Sequence, residues 1–195
     1  MKKLIATACL ATAVALSAGP ASADSIKGKL GITGKLGFLV PADNESDFYH
    51  NNTDTGFVVG GGLIYGLDQN FAGELAATRT WFGSETGDFG ITDLGLGLQY
   101  RFTPSSKLVP YLGAGLDVLM SDYHPNFGPH QDVDTTVGAH LAGGLDYFVQ
   151  RNLALTGEVK LLLAPDTDIT DNFGNHTGNF DPSSVSGTVG LRYFF

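Results

Sequence analysis

A length of 195 residues limits the chain to one domain or one small closed barrel, and its mean hydropathy is +0.06. Beyond residue 23, no stretch approaches the roughly 20 consecutive apolar residues that a membrane helix needs. The 20 acidic residues against 11 basic ones give a net charge of −9, which argues against nucleic acid as a partner.

The first 23 residues have the pattern of a secretion signal. Lys2 and Lys3 form a basic start, an apolar run follows to Leu16, and Ala21-Ser22-Ala23 supplies the small residues of a cleavage site. We therefore expect residues 1–23 to be removed and residues 24–195 to form the mature domain.

The mature domain would contain no cysteine. Cys9 lies inside the predicted signal, and the short apolar stretch before it does not fit a lipid-attachment site. Disulfide, metal-thiolate and nucleophilic cysteine chemistry are then excluded. Loss of two lysines leaves nine basic residues against 20 acidic ones, so the domain becomes more acidic.

Beyond the signal, apolar and polar residues alternate in eight segments, as they do in half-buried strands. The predicted strands are residues 27–40, 55–66, 71–82, 89–102, 108–120, 134–149, 153–164 and 185–195. In the last, Leu191 and Tyr193 share one face, while Thr188 and Arg192 share the other. This strand ends on Phe195, as expected where a strand reaches an aromatic membrane interface.

The connections between the predicted strands alternate in length. Those after the second, fourth and sixth strands have three to five residues, and the others are longer and acidic or glycine-rich. Outer-membrane barrels have short periplasmic turns, long extracellular loops and an even strand count. The sequence thus predicts an all-β, eight-stranded antiparallel up-and-down transmembrane β-barrel in the outer membrane of a Gram-negative bacterium.

A soluble up-and-down barrel, such as a lipocalin, is the alternative fold, with its apolar face inside. Many glycines share the parity of the charged residues, among them Gly95, Gly97 and Gly115. Inside a narrow barrel they make room for long charged side chains, whereas on a solvated exterior they only weaken strands. Gly34 and Gly157 lie on the opposite face, but the balance favours the membrane barrel.

Three segments resemble the OmpW family of small outer-membrane barrels: P-Y-L-G-A-G at 110–115, N-F-A-G-E-L-A-A-T at 70–78 and G-L-D-Y-F-V-Q-R-N at 144–152. The first also occurs in other eight-stranded barrels that resemble OmpA. The OmpW resemblance implies a narrow, largely apolar lumen that admits small hydrophobic molecules and releases them sideways into the membrane. It also implies outer-membrane lipid and lipopolysaccharide as surroundings, and a bacteriocin or phage as a partner that uses the barrel as a receptor.

The side chains predicted to face the lumen include five basic and five acidic residues, together with one histidine. Because a buried charge without a partner is costly, we expect a network of ion pairs across the barrel rather than an ion pathway. Eight strands leave an interior that side chains nearly fill. The predicted lumen charge network is Lys29, Lys35, Glu74, Asp93, Arg101, Asp117, His140, Asp146, Glu158, Lys160 and Arg192.

Apolar residues also point inward near the extracellular ends of the strands. They are Leu39, Val58, Ile91, Leu119 and Leu162. Our hypothesis is an apolar vestibule above a polar plug, so that a hydrophobic ligand enters from outside and cannot pass straight through.

Three prolines flank the extracellular ends of the first, seventh and eighth strands, namely Pro41, Pro165 and Pro182. Each lacks a donor for the strand ladder, so together they would form a lateral rim that opens. The alternative is that they only end the strands.

The predicted loops carry four of the five histidines: His50, His124, His130 and His176. Imidazole with nearby carboxylates suits zinc or nickel, but the spacing fits no defined motif, and solvated polar loops are the simpler interpretation. We predict no metal and no cofactor.

The sequence does not predict an enzyme. It contains no H-x-S pair of the kind found in lipid-modifying barrels, no inward serine near His140, and no nucleotide or metalloprotease motif. The sequence therefore predicts passive passage of small hydrophobic molecules. The alternative is a non-transporting structural or surface-interaction barrel of OmpX or OmpA type, acting through its extracellular loops.

Overall fold

A computed structural model describes residues 26–42, 44–46, 49–51, 54–84, 87–102, 106–125, 131–170 and 176–195. The predicted signal, residues 1–23, lies outside the described residues, and its removal stays a prediction. Within the described ranges, no helix has the length and apolar character needed to cross a membrane.

The described chain is built from strands. In chain order they are β1 (Leu30–Pro41), β2 (Asn44–Ser46), β3 (Tyr49–Asn51), β4 (Gly56–Gly66), β5 (Phe71–Ser84), β6 (Gly87–Arg101), β7 (Leu108–Pro125), β8 (Gln131–Val133), β9 (Thr136–Gln150), β10 (Leu153–Leu163), β11 (Thr167–Thr170), β12 (His176–Phe180) and β13 (Ser184–Phe194).

The eight long strands form a closed antiparallel barrel. Neighbours pair in the order β1, β4, β5, β6, β7, β9, β10 and β13. Closure comes from β1 and β13, which pair in register from Gly31 with Phe194 to Pro41 with Ser184. The prediction of an eight-stranded up-and-down barrel is confirmed.

The alternation of side chains places apolar residues outside and charged residues inside. Leu96 and Leu116, in the middle of β6 and β7, are 66% and 63% exposed, whereas Asp117 and Arg192 are 0% and 1% exposed. A soluble barrel requires the opposite arrangement, since it must bury its apolar face. This exterior suits the hydrocarbon of a bilayer.

Exposed aromatic rings mark both ends of the apolar exterior. Near the short turns, Phe71 packs edge-on against Tyr100 with ring centroids 5.2 Å apart, and Tyr193 packs against Phe195 in the same way. Near the long connections, three rings occupy neighbouring positions on three strands: Phe38, Phe57 and Trp81. Aromatic girdles of this kind lie at the two membrane interfaces.

The turn between β4 and β5 shows how the short connections are built. The Asp68 carboxylate accepts hydrogen bonds from the N–H groups of Asn70 and Phe71, each at 2.7 Å. The N–H of Phe71 and then that of Asn70 hold the pKa of Asp68 below its ordinary value of 3.8, because they stabilise the ionised form. This Asx turn reverses the chain within four residues.

The long connections contain strands where the sequence predicts polar loops. β8 pairs with the end of β7, β11 pairs with β8, and β12 pairs with β11, so the barrel wall continues beyond the membrane. β2 and β3 form a separate hairpin. These strands are short and depend on pairing between different connections, which a local alternation pattern does not reveal.

Two apolar clusters fill the ends of the barrel. The lower cluster, near the short turns, consists of Ile26, Ile64, Ala72, Val109, Phe148, Ala154 and Phe194. The upper cluster, near the long connections, consists of Phe82, Phe89, Ile91, Leu119, Leu162 and Phe180. The charged part of the lumen lies between them.

Candidate functional site

The first ionic group below the upper cluster is centred on Lys160, which β10 carries into the lumen. Its Nζ donates to Asp93 Oδ2 of β6 and to Asp117 Oδ1 of β7, both at 2.6 Å. The other oxygen of Asp117 lies 2.5 Å from Nδ1 of His140 on β9. One lysine thus connects three strands, and a fourth joins through the histidine.

A second ionic pair crosses the barrel beside the first group. Lys35 Nζ of β1 donates to Glu158 Oε1 of β10 at 3.1 Å, and both side chains are more than 90% buried. The Tyr111 hydroxyl of β7 donates to the other Glu158 oxygen at 2.9 Å. Both carboxylate oxygens are therefore satisfied, as the burial of a charge requires.

Two arginines form the lowest ionic group. Asp146 Oδ2 accepts from Arg101 at 2.6 Å and from Arg192 at 2.9 Å, and each of these side chains is no more than 1% exposed. Arg192 also donates to Glu74 Oε1 at 3.2 Å and to Thr33 Oγ1 at 2.9 Å. Five strands are thereby joined, with the buried Asp146 carboxylate at the centre of the group.

Tyr111 lies between this lowest group and the Lys35 pair. The guanidinium carbons of Arg101 and Arg192 lie 5.8 Å and 5.6 Å from the centroid of its ring. A cation over an aromatic face is stabilised electrostatically, the more so where water is excluded. One ring thus contacts both cations, whose shared acceptor is the Asp146 carboxylate.

Glycines provide the space that the long side chains occupy. A Cβ on Gly95 would lie 2.5 Å from Asp117 Oδ1, and one on Gly115 would lie 2.6 Å from His140 Cε1. A Cβ on Gly144 would meet the Tyr111 ring. Glycine at these positions makes a narrow barrel compatible with buried charges.

Two small cavities border each other in the described part of the lumen. The upper one, about 30 Å³, is lined by apolar, hydroxyl and charged side chains, and the lower one measures about 20 Å³. Both are lined by Lys35, Glu158 and Lys160, whose ion pairs stand between the two cavities. Since one water needs roughly 10–15 Å³, each cavity has room for one or two waters.

The predicted lumen residues occupy the positions described above, with one exception. Lys29 lies just before β1 and is half-buried, and it takes part in the turn-side backbone bonds with Ile26 and Gly66. The remaining ten residues are the charged side chains and the histidine of the three ionic groups.

The predicted vestibule residues all point inward, but the upper lumen is packed rather than open. Ile91, Leu119 and Leu162 belong to the upper cluster, and Leu39 and Val58 line the upper cavity. The filling comes from further residues that the sequence analysis did not identify, namely Phe82, Phe89 and Phe180. Phe82 and Phe89 share the parity of the inward charges on their strands, a signal that would have located them.

The three prolines have different surroundings. Pro41 is the last residue of β1 and pairs with Ser184, Pro182 is fully buried, and Pro165 is exposed. Above Leu162, backbone pairing between β10 and β13 gives way to a side chain: the Ser183 hydroxyl bonds to both N–H and C=O of Ala164 at 3.2 Å. At this end of the β10–β13 seam, meaning the line along which the two strands pair, a serine hydroxyl therefore makes the hydrogen bonds that backbone amides make elsewhere.

The side chains of the loop histidines lie outside the part of the chain that the structure describes. His130 lies outside the described residues, and so do the side chains of His50, His124 and His176. Among the side chains that are described, no three or more potential ligands group together in a way that would hold a metal ion.

An apolar exterior between two aromatic girdles, closed around an ion-paired interior, defines a transmembrane β-barrel of the outer membrane. Residues 8–193 match the family model for the outer membrane protein beta-barrel domain. The chain belongs to this family, which agrees with the predicted class and location.

Known proteins resemble the chain in sequence and in structure. An uncharacterized outer-membrane protein of Sinorhizobium fredii, y4mB, is 34% identical over 108 residues, which is 50% of this chain and 47% of that protein. The chain thus matches about half the length of this curated relative. OprG from Pseudomonas aeruginosa has a TM-score of 0.70 at 16% identity, over 87% of this chain and 96% of that one. The outer membrane protein AlkL has a TM-score of 0.57 at 15% identity, over 91% and 95%.

Proposed function

We propose that the protein is an OmpW-like barrel that passes small hydrophobic molecules from outside into the outer membrane. The observation that carries this proposal is the change in lumen lining along the axis. The upper end is lined by Leu39, Val58, Ile91 and other apolar side chains, while the ion-paired groups below them fill the bore.

An apolar solute that enters such a lumen has no favourable path downward. Moving it through the Lys35 and Lys160 pairs would require desolvated charges to separate, which is strongly unfavourable. Sideways release into lipid has no such penalty. The seam between β10 and β13 is the proposed exit, because Pro182 lies next to it and Ser183 replaces backbone pairing there. Pro41 lies across the opposite edge of β13, where it pairs with Ser184.

A transport assay with two readouts tests this function. The full chain would be reconstituted into vesicles with a lipopolysaccharide outer leaflet, and the fluorescence of N-phenyl-1-naphthylamine would report its arrival in the phospholipid leaflet. We expect a faster rise than in empty vesicles, with no ion conductance above background in a planar bilayer. Conductance without faster arrival of the probe would refute the proposal.

The second candidate is a surface-interaction barrel that acts through its loops. It is supported by the sheet of β8, β11 and β12, which extends the wall of the barrel beyond the membrane. Lipopolysaccharide, a bacteriocin or a phage would be the partner. Binding of such a partner together with absence of probe transfer would favour this function.

We infer no catalytic role for the lumen. The lower cavity, which His140 faces, is lined by lysine, carboxylate, amide, glycine and apolar residues, and no hydroxyl or thiol nucleophile is among its described lining residues. The His140–Asp117 pair is proposed to be structural. Unchanged lipid A mass spectra in the presence of the protein would agree with this.

A further inference from the structure

Three phenylalanine rings form a parallel stack at the extracellular mouth. The Phe89 ring lies between the other two, with its centroid 5.0 Å from that of Phe180 and 5.5 Å from that of Phe82. The interplanar angles are 12° and 11°, and each side chain is no more than 4% exposed. The stack is part of the apolar upper cluster at this end of the lumen.

The three rings differ in how the fold holds them. Phe82 and Phe89 pair with each other on β5 and β6, inside the continuous ladder of the barrel. Phe180 instead ends β12, which pairs with β11 and not with a barrel strand, and three residues then connect it to β13. β11 pairs with β8 and β8 with β7 at two positions each in the described chain. The local anchor of Phe180 is Thr167, which pairs with it and donates to its carbonyl at 3.1 Å. Two rings belong to the wall and one to the loop.

The space under the stack is too small for a ligand as it stands. Ile91 and Leu162 belong both to the upper cluster and to the wall of the upper cavity, so the cavity borders the stack. Its volume is about 30 Å³, whereas an apolar protein cavity of about 150 Å³ is known to hold a benzene molecule. A ring can enter only if a side chain of the stack moves away.

We propose that a flat apolar ring enters the lumen by taking the place of the Phe180 ring against Phe89. The ligand class is an apolar molecule that carries a flat aromatic group of one or two fused rings, such as a phenyl or naphthyl group, because the position offers a parallel aromatic face on one side and aliphatic side chains below. This inference rests on the proposed transport function and specifies its entrance and its substrate. Phe180 is then a specificity residue as well as a cover.

Two variants test the entrance in the vesicle assay with N-phenyl-1-naphthylamine. Phe180→Ala removes the competing ring, and we expect the probe to arrive at least threefold faster than with the unchanged protein. Phe57→Ala is the matched control, because it removes a ring of the same size from the lipid-facing surface at the same end, and it should alter the rate less than twofold. A heat-dependent shift in gel mobility shows that each variant is folded.

An engineered disulfide gives an independent test that leaves Phe180 in place, and we call it the lock. Val133 and Ile169 are directly paired on β8 and β11, so cysteines at both positions are close enough for a disulfide. The oxidised protein should transfer the probe at least threefold more slowly than the reduced one. Naphthalene should compete with the probe, and decalin, which has the same two rings but is puckered, should compete much less.

The outcomes separate the entrance from the function. If the unchanged protein transfers the probe faster than empty vesicles, but neither Phe180→Ala nor the lock alters the rate, the entrance is wrong and transport stands. Equal competition by naphthalene and decalin overturns the flat-ring specificity. If neither the unchanged protein nor Phe180→Ala exceeds empty vesicles, the proposed function fails, and the entrance fails with it.

Discussion

Arg192 and Asp146 form an ion pair of 2.9 Å in which neither side chain is more than 1% exposed. The same carboxylate oxygen accepts from Arg101 at 2.6 Å, so one acid serves two buried guanidinium groups. With Glu74 bonded to Arg192, the group holds two positive and two negative charges. The neutral balance explains how an eight-stranded barrel contains buried arginines in the lower part of its lumen.

Removal of Asp146 should destabilise the barrel strongly. In Asp146→Ala, two buried arginines lose their shared acceptor, and we expect the free energy of unfolding to fall by roughly 3–5 kcal/mol. Urea titration in phospholipid vesicles, followed by circular dichroism, measures the change. Asp122→Ala is the control, because the Arg79–Asp122 pair has the same 2.6 Å length but is about 30% exposed, and its loss should cost no more than about 1 kcal/mol. Equal losses would contradict the role of burial.

Charge on the outer face should be penalised according to depth in the membrane. Leu116 lies in the middle of β7 and Leu108 at its turn-side end, and both face outward. We expect Leu116→Arg to lower the free energy of unfolding by about 2–4 kcal/mol and Leu108→Arg by at most about 1 kcal/mol. Urea titration of both variants in the same vesicles measures the two free energies of unfolding. Equal tolerance at the two positions would mean that the exterior does not face lipid.

The lumen glycines should resist even the smallest substitution. In Gly115→Ala, the new methyl group would overlap the Leu96 carbonyl and lie 2.6 Å from His140 Cε1. Overpacking of this kind costs about 1–3 kcal/mol. Gly157→Ala is the control, since nothing lies within 4 Å of a Cβ there. Unfolding free energies that fall equally for both variants would argue against crowding as the cause.

The Asp68 turn should stabilise the protein only while its carboxylate is ionised. The pKa of Asp68 is lowered on folding, so its contribution is complete above the unfolded value near 3.8 and is lost as the pH falls through the lower folded value. Asp68→Asn should therefore be less stable than the unchanged protein at pH 7. The gap between their urea midpoints should close progressively below pH 4. A constant gap across this range would exclude the charge as its origin.

Restoring the missing ladder donors should slow sideways release. If solutes leave beside Pro41, Pro165 and Pro182, replacing all three with alanine supplies N–H groups that strengthen the rim. We expect at least a twofold slower arrival of N-phenyl-1-naphthylamine in the vesicle assay. Pro110→Ala, at the turn-side end of β7, is the control. Unchanged arrival in the triple variant would leave the prolines with the simpler role of ending strands.

The barrel itself follows from period-two alternation, because one face of every strand must meet lipid and the other the lumen. The predicted strand 55–66 is found as Gly56–Gly66, and 153–164 as Leu153–Leu163. The start of β7 at Leu108 was also predicted, but its other end was wrong, since the strand continues to Pro125 and pairs there with the extended β6. The extension of β7 depends on pairing with β6, and its residues do not alternate between apolar and polar.

The sequence alone could not determine which lumen residues contact one another. Parity places Lys160 and Asp117 inside, but only the shear of the closed barrel determines that they meet, together with Asp93 and His140. Phe180 and Ile26 could not be located by parity at all, because both lie outside the barrel strands. The ends of the lumen were therefore less predictable than its middle.

The pairing of β1 with β13 has a consequence for biogenesis. Until the last strand arrives, the first strand presents a row of unpaired amides and carbonyls, which a hydrocarbon environment does not tolerate. Insertion with that row facing lipid is strongly unfavourable, because hydrocarbon offers no hydrogen-bond partner. We therefore expect the pairing of β1 with β13 to be a late and obligatory step in the entry of the barrel into the membrane.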